Sequence, residues 1–258
     1  MSSTGASGGM APPAINPHMD NIAAANPPKS GLRTRIVSAL VLAPIALGLT
    51  YMGGAAFNGM LLLVAVLMAY EWNRLCCGGT SVSGAVITIA VLASVGVAAA
   101  GRTEIALGVT LIGTGLAFAV STALMGMSQK RPLWLAAGVL YIALPCIAVI
   151  WLRAAPEVGL AIIMWLFAVI WATDVGAYFA GRGIGGPKLA PSISPKKTWA
   201  GLVGGMIAAG IVGAVTATTL DWPNTPGVIL FSISLAVISQ GGDLMESAIK
   251  RAFKVKDS

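Results

Sequence analysis

Three carboxylates stand where an apolar chain should carry none. Asp174 falls in WATDVGAY, and Asp243 and Glu246 fall in SQGGDLMES, each inside or at the edge of a long apolar run. A charged group at such depth costs roughly a few kcal/mol unless it is paired, hydrated or bound to a metal, so it is a functional candidate by default. A buried structural ion pair is the simpler alternative for each. Helical spacing orders the terminal stretch. Asp243, Glu246 with Ser247, Lys250 with Arg251, and Lys254 recur at three- and four-residue steps, which places them on one face. Read outward, that face is carboxylate, carboxylate with hydroxyl, then cations. Exposed Glu–Lys pairs give the same spacing, but they leave unexplained why Asp243 follows Gly241 and Gly242, where backbone or ligand can come close. Carboxylates beside cations suit a phosphate carrying a hard divalent cation. Mg²⁺ takes one or two carboxylates and completes its shell with phosphate oxygen and water.

A second constellation runs DVGAYFAGRGIGGPKLAPSISPKKTWAG, from Asp174 to Gly201. Its glycines at 181, 183, 185 and 186 could present backbone N–H groups to phosphate, although no GK[ST] follows and this is no P-loop. In SPKKTWAG, Ser194 is placed to cap the next helix with Pro195 at its first position. Lys196, Lys197 and Thr198 then fall in the first turn, where helix N–H groups already favour an anion. A pair of interfacial anchor lysines is the plainer reading. Taken together, the two stretches supply carboxylates for a metal and cations for phosphates, with no nucleophile–base pair. That inventory suits phosphoryl or nucleotidyl transfer, in which positioning and charge neutralisation carry most of the catalysis.

Helices in a bilayer must position these residues. The chain is 57% hydrophobic, only 10% charged, and has a mean hydropathy of +0.85. Soluble domains are about a quarter charged. The apolar runs are continuous rather than alternating, so they span as helices and not as barrel strands. The fold class is therefore all-α, a polytopic integral membrane protein. Eight spans are expected, at 36–52, 55–70, 82–100, 105–125, 133–152, 158–180, 200–220 and 227–248. Residues 1–30, rich in Gly, Ser, Ala, Pro and Asn, read as a disordered tail. The remainder divides into an N-terminal helical region, 31–155, and a C-terminal catalytic region, 156–258. In the seventh span Gly201, Gly205, Ala209 and Gly213 recur every four residues and permit close helix packing. All but two of the sixteen Lys and Arg residues, Arg102 and Arg153, fall on one side of this topology. The positive-inside rule makes that side cytoplasmic, with the N-terminus and both constellations on it. The net charge of +7 is then a cytoplasmic surface facing anionic lipid, and no nucleic acid is expected as a partner. His18, the sole histidine, lies in the tail, which argues against a histidine base or ligand. Cys76, Cys77 and Cys146 have no metal spacing and read as inert thiols. Glu71 reads as an interfacial charge near Arg74.

These motifs resemble those of the phosphatidate cytidylyltransferases, or CDP-diacylglycerol synthases. The family's signature S-x-x-K-R-x4-K-D is met by Ser247, Lys250, Arg251, Lys256 and Asp257. Gly242-Asp243-Leu244 upstream and the DxxAYxxGR element of Asp174, Ala177, Tyr178, Gly181 and Arg182 match as well. LRTRIVSALVLAP at 32–44 and YEW at 70–72 look like the family's opening spans. The resemblance implies transfer of a cytidylyl group from CTP to phosphatidate with Mg²⁺ as cofactor, a second cation being an open alternative. It implies a multi-pass protein of the bacterial inner membrane, in contact with membrane lipids and able to form a homo-oligomer. Lys196, Lys197, Thr198, Ser247, Lys250, Arg251, Lys256 and Asp257 would be catalytic. Asp174, Tyr178, Arg182, Lys188 and Ser194 would bind substrate, and Asp243 with Glu246 would hold metal. The family pattern continues past K-D-S to a further metal-binding aspartate and a last span, so the chain is expected to be a fragment of a longer protein. An ion-coupled transporter, a CTP-dependent polyprenol kinase and a catalytically silent scaffold are the competing readings.

Overall fold

Continuous apolar runs leave the backbone no water to bond with, so its N–H and C=O groups must pair within each segment. The computed structural model shows that outcome for residues 32–77, 82–125 and 131–253, the portion it describes. The helices are α1 (Leu32–Met52), α2 (Gly54–Cys77), α3 (Val82–Ala99), α4 (Thr103–Met125), α5 (Arg131–Arg153), α6 (Gly159–Gly183), α7 (Trp199–Thr219) and α8 (Thr225–Ala252). Each expected span coincides with one of them. Seven, α2 to α8, are long and apolar enough to cross a membrane, while the apolar part of α1, Val37–Met52, is shorter. The chain is an all-α polytopic membrane protein with one addition, a two-stranded hairpin of β1 (Lys188–Ala190) and β2 (Ser194–Thr198) between α6 and α7. The expected N-terminal tail, Lys254, Lys256 and Asp257 lie outside the described residues.

The chain divides at Pro44 into two compact units. In the first, the described residues are the opening turns of α1, whose Val37, Leu40, Val41 and Leu42 are exposed, as suits a lipid-facing helix. In the second unit, α2, α3, α4 and α5 share a core that includes Ala69, Trp72, Ile87, Val91, Leu135, Val139 and Ile142. Trp72 organises the α2–α5 contact. Its indole N–H donates to the carbonyl of Trp134 at 2.9 Å, and its ring lies over Gly138 and 5.1 Å from the ring of Tyr141. Neighbouring Glu71 and Arg74 form the expected surface pair, 4.0 Å apart and largely exposed. At the opposite end of α5, Arg153 donates to the carbonyls of Thr50 and Tyr51 at 2.9 and 3.2 Å. It thereby satisfies two of the carbonyls that every helix leaves open at its C-terminus.

Helices α6, α7 and α8 form a layer with α7 in the middle. Its small residues do what their spacing implied. A Cβ on Gly204 would stand 2.8 Å from the carbonyl oxygen of Gly176, and one on Gly176 would stand 2.6 Å from that of Gly204. Gly201 and Gly205 likewise meet the carbonyls of Ala177 and Thr173, so α6 and α7 touch backbone to backbone. Further along, Gly210 and Gly213 receive Ile233 and Ser232 of α8. The last turns of α8 then return to the first core: Ile249 is buried in it and Phe253 packs edge-on to Trp134 at 5.8 Å.

Gly204→Val is expected to force α6 and α7 apart and to cost about 1–3 kcal/mol of stability, the usual range for overpacking. Thermal unfolding in detergent should show a lower midpoint, whereas Gly183→Ala, with nothing within 4 Å of its added carbon, should leave the midpoint unchanged. Equal midpoints for the two variants would refute the backbone contact.

Candidate active site

The backbone seam brings one end of α6, the start of α7 and the later part of α8 around a cavity of about 390 Å³. From α6 it is lined by Asp174, Ala177, Tyr178, Gly181 and Arg182, positions that repeat at three and four residues and so share one face. From α8 come Gln240 and Asp243, one turn apart. Lys196, Lys197, Thr198, Gly201 and Leu202 complete the lining from the hairpin and α7. Asp174 and Asp243 each sit nine residues before the last residue of their helices, Gly183 and Ala252. At 1.5 Å per residue that is about 13 Å inward from the helix ends. Arg182 belongs to the end of α6 and Lys196 and Lys197 to the hairpin, so the cations reach the cavity from the ends of the helices while the carboxylates stand within them.

The hairpin fixes the cations. Gly185 and Gly186 have φ of +68° and +88°, which glycine tolerates and most residues do not, and they turn the chain out of α6. β1 and β2 then pair antiparallel, with Lys188 opposite Thr198 and Ala190 opposite Ser194. The start of α7 differs from the expectation. Ser194 does not cap the helix, and Lys196 and Lys197 do not lie in its first turn. Thr198 is the cap: its Oγ1 accepts the N–H of Gly201 at 3.0 Å, and the helix begins at Trp199. The reason is strand pairing, which holds Ser194 to Thr198 extended. The lysines therefore reach the cavity from β2. Lys197 extends furthest in, donating to Asp243 Oδ2 at 2.7 Å and to Gln240 Oε1 at 2.9 Å. Lys196 and Arg182 have no carboxylate partner among the described residues and remain available to a phosphate.

Of the residues singled out from sequence, Asp174, Tyr178, Arg182, Lys196, Lys197, Thr198 and Asp243 meet at this cavity. Lys188 and Ser194 lie on the hairpin without lining it, and Ser247, Lys250 and Arg251 lie further along α8. Glu246 pairs with Lys250 at 2.9 Å and is not in the lining; the carboxylate that shares the cavity with Asp243 is Asp174. Of the glycines, Gly181 packs beside Thr198 and lines the cavity, Gly185 and Gly186 make the turn, and Gly183 has open space around it. Gln240 is the residue that sequence reasoning missed. An amide one turn before Asp243, at the end of an apolar run, was the available signal, and the structure buries it.

Two carboxylates and an amide oxygen around one cavity form an all-oxygen donor set. It fits Mg²⁺, which binds through one or two carboxylates and leaves its remaining positions to water and phosphate. A closed protein cage is absent: among the described residues no three Asp, Glu, His or Cys side chains cluster to hold a metal. The lining carries three cations against two carboxylates, so a polyanionic substrate gains from an added divalent ion.

A sequence model described as the cytidylyltransferase family matches residues 33–258. The chain belongs to the cytidylyltransferase family. It is 37% identical over 229 residues to the phosphatidate cytidylyltransferase of Brucella suis, covering 89% of this chain and 83% of that one. The phosphatidate cytidylyltransferase of Haemophilus influenzae is 42% identical over 108 residues, 40% of this chain and 38% of its own. That of Bacillus subtilis is 41% identical over 109 residues, 42% of this chain and 40% of its own. Membership makes the chain a nucleotidyltransferase.

In this cytidylyltransferase, Thr198→Ala should remove the cap of α7 and cost about 1 kcal/mol. It should also loosen Lys197, while Thr198→Ser should restore both stability and turnover. An alanine variant as stable and active as the parent would show that the cap contributes nothing.

Proposed function

We propose that the chain transfers the cytidylyl group of CTP to phosphatidate, giving CDP-diacylglycerol and pyrophosphate. The observation that carries this reading is the cavity shared by Asp174 and Asp243, with Arg182, Lys196 and Lys197 around it, in a membrane-embedded cytidylyltransferase. An oxygen of the lipid phosphate attacks the α-phosphorus of CTP. The new P–O bond forms as the bond from that phosphorus to the bridging oxygen of the β-phosphate breaks, and pyrophosphate leaves. Little covalent chemistry is required of the protein, so positioning and charge compensation dominate.

Each residue has a part in that chemistry. Asp174 and Asp243 would hold Mg²⁺, which when bound neutralises charge on the phosphates and on the departing pyrophosphate. Arg182 and Lys196 grip phosphate oxygens, the first through a planar fork and the second as a point charge. Tyr178 lines the cavity yet is more than half exposed, as are its neighbours Val175 and Phe179 on α6. On this reading that apolar flank is where the lipid headgroup enters from the membrane, while the hairpin side admits the nucleotide from water. The Lys and Arg bias supports a cytoplasmic position for this end of the bundle, which on this reading faces CTP from a bacterial inner membrane. Ser247, Lys250 and Arg251 follow Asp243 on α8 and would contact the outer phosphates, and Lys256 and Asp257 lie outside the described residues.

The test is synthesis by the purified full-length protein in lipid nanodiscs supplied with CTP, phosphatidate and Mg²⁺. CDP-diacylglycerol and pyrophosphate should appear in equal amounts, chelation should stop the reaction, and Mg²⁺ should restore it. Release of CDP instead would identify a kinase, and ion flux without CTP would identify a transporter. Asp243→Asn and Asp174→Asn should each lower kcat by about a hundredfold or more, as expected for loss of a preorganised electrostatic partner. Near-normal turnover in either would remove that carboxylate from the metal site. Lys196→Ala should act mainly on the KM for CTP.

A further inference from the structure

The position of Lys197 is not that of a group waiting for phosphate. Its ammonium donates to three oxygens, Asp243 Oδ2 at 2.7 Å, Gln240 Oε1 at 2.9 Å and the Gln240 carbonyl at 3.5 Å. An ammonium has three donors and no acceptor, so this seat uses its whole capacity. Every acceptor in the seat is oxygen, which is also the ligand type a hard divalent cation requires. The lysine is well covered, with 20% of its side chain exposed against 50% for Asp243. Lys196, its neighbour in sequence, lines the same cavity without a carboxylate partner among the described residues.

We infer that Lys197 is a resident counter-cation: in the empty site its ammonium holds the seat of Asp243 and Gln240, and a divalent cation loading onto Asp243 expels it toward the phosphates. The inference rests on the reading of Asp243 as a cation ligand. Two positive charges at contact distance on one carboxylate oxygen repel each other. The lysine stem is long and flexible, and Thr198 clamps the backbone beside it through the cap of α7. The ammonium can therefore swing while its Cα stays in place. The destination is set by the same cavity, whose remaining free cations, Lys196 and Arg182, mark where anionic oxygens are stabilised. The exchange solves two problems. Without substrate, Asp243 is not left bare. With substrate, the charge that protected it becomes a phosphate ligand, so cation loading and phosphate capture are coupled through one side chain.

Divalent binding without nucleotide tests this directly, with Mn²⁺ as the probe and electron paramagnetic resonance counting free ion. Lys197→Met should bind Mn²⁺ about tenfold more tightly than the parent, a gain of about 1.4 kcal/mol, while turning over more slowly. Lys197→Arg should show no gain. Unchanged or weaker binding by the methionine variant would overturn the inference. Loss of binding in Asp243→Asn shows that the metal reading holds independently, and parent-like binding there would sink both. A measurement on the unaltered protein guards against a variant that fails to fold. Saturating Mg²⁺ should raise acylation of Lys197 by an amine-reactive reagent several-fold, read by mass spectrometry, and leave Lys196 unchanged. Unchanged or reduced labelling of Lys197 under Mg²⁺ would equally overturn the exchange.

Discussion

A carboxylate some nine residues inside an apolar helix must be neutralised, and the 2.7 Å pair between Lys197 and Asp243 is how this protein does it. The neutralising charge does not come from a neighbouring span at the same depth. It comes from a strand outside the bundle, on a side chain long enough to reach in. That choice dictates much else. A lysine on a free loop would give up a large conformational entropy to hold one position, so β2 is paired to β1 and terminated by the Thr198 cap. The glycines at 185 and 186 adopt left-handed backbone because the chain must reverse out of α6 within a few residues. The pair is half open on the carboxylate side, so it remains available to a ligand.

The distance that Lys197 must cover is set by how closely the helices approach. Where α6 and α7 meet, the contact is backbone on backbone at Gly176 and Gly204, with no side chain between. In a bilayer no hydrophobic force drives helices together, so van der Waals fit of this kind has to supply the association. Bulk on either glycine would move Asp174 away from the hairpin and widen the cavity. α8 is held from two directions: its middle lies on Gly210 and Gly213 of α7, and its last turns sit in the core of the N-terminal helices through Ile249 and Phe253. Helices α2 to α5 thus act on the site without contributing a residue to its lining among the described residues. Trp72, which ties α2 to α5 at Trp134, also fixes the platform on which Phe253 rests.

Sequence alone disclosed the spans because apolar length is a strong signal, and it disclosed the α7 seam because four-residue spacing of small residues has few other uses. Asp174, Asp243 and the Lys196–Lys197 pair stood out because charges within or beside apolar helices are expensive. The hairpin was hidden. SPKKT fits a capped helix start as well as a strand, and only pairing with KLA across the Gly185–Gly186 turn decides between them. Glu246 and Asp174 show the matching limit on the carboxylates. Helical periodicity placed Glu246 on Asp243's face, yet the contact that forms is the local pair with Lys250, while Asp174 arrives from another helix. Spacing along one helix reports neighbours on that helix and is silent about partners across a bundle. Gln240 was passed over because an amide carries no charge, although a buried amide needs partners almost as much as a carboxylate does.

The arrangement of charge in the cavity constrains how two unlike substrates could meet there. A lipid phosphate is confined to the headgroup plane, and a nucleotide triphosphate cannot enter the hydrocarbon. Only a site spanning the boundary serves both. Arg182 and the hairpin lysines attract polyanions from water to that boundary, while Asp174 and Asp243 in the same cavity repel them unless a metal ion intervenes. The carboxylate side of the cavity therefore admits phosphate only together with a divalent cation. Such a filter favours the metal complex of a nucleotide over the bare anion. It needs no lid and no large movement of helices that the glycine seam holds fixed, only the relocation of one ammonium group.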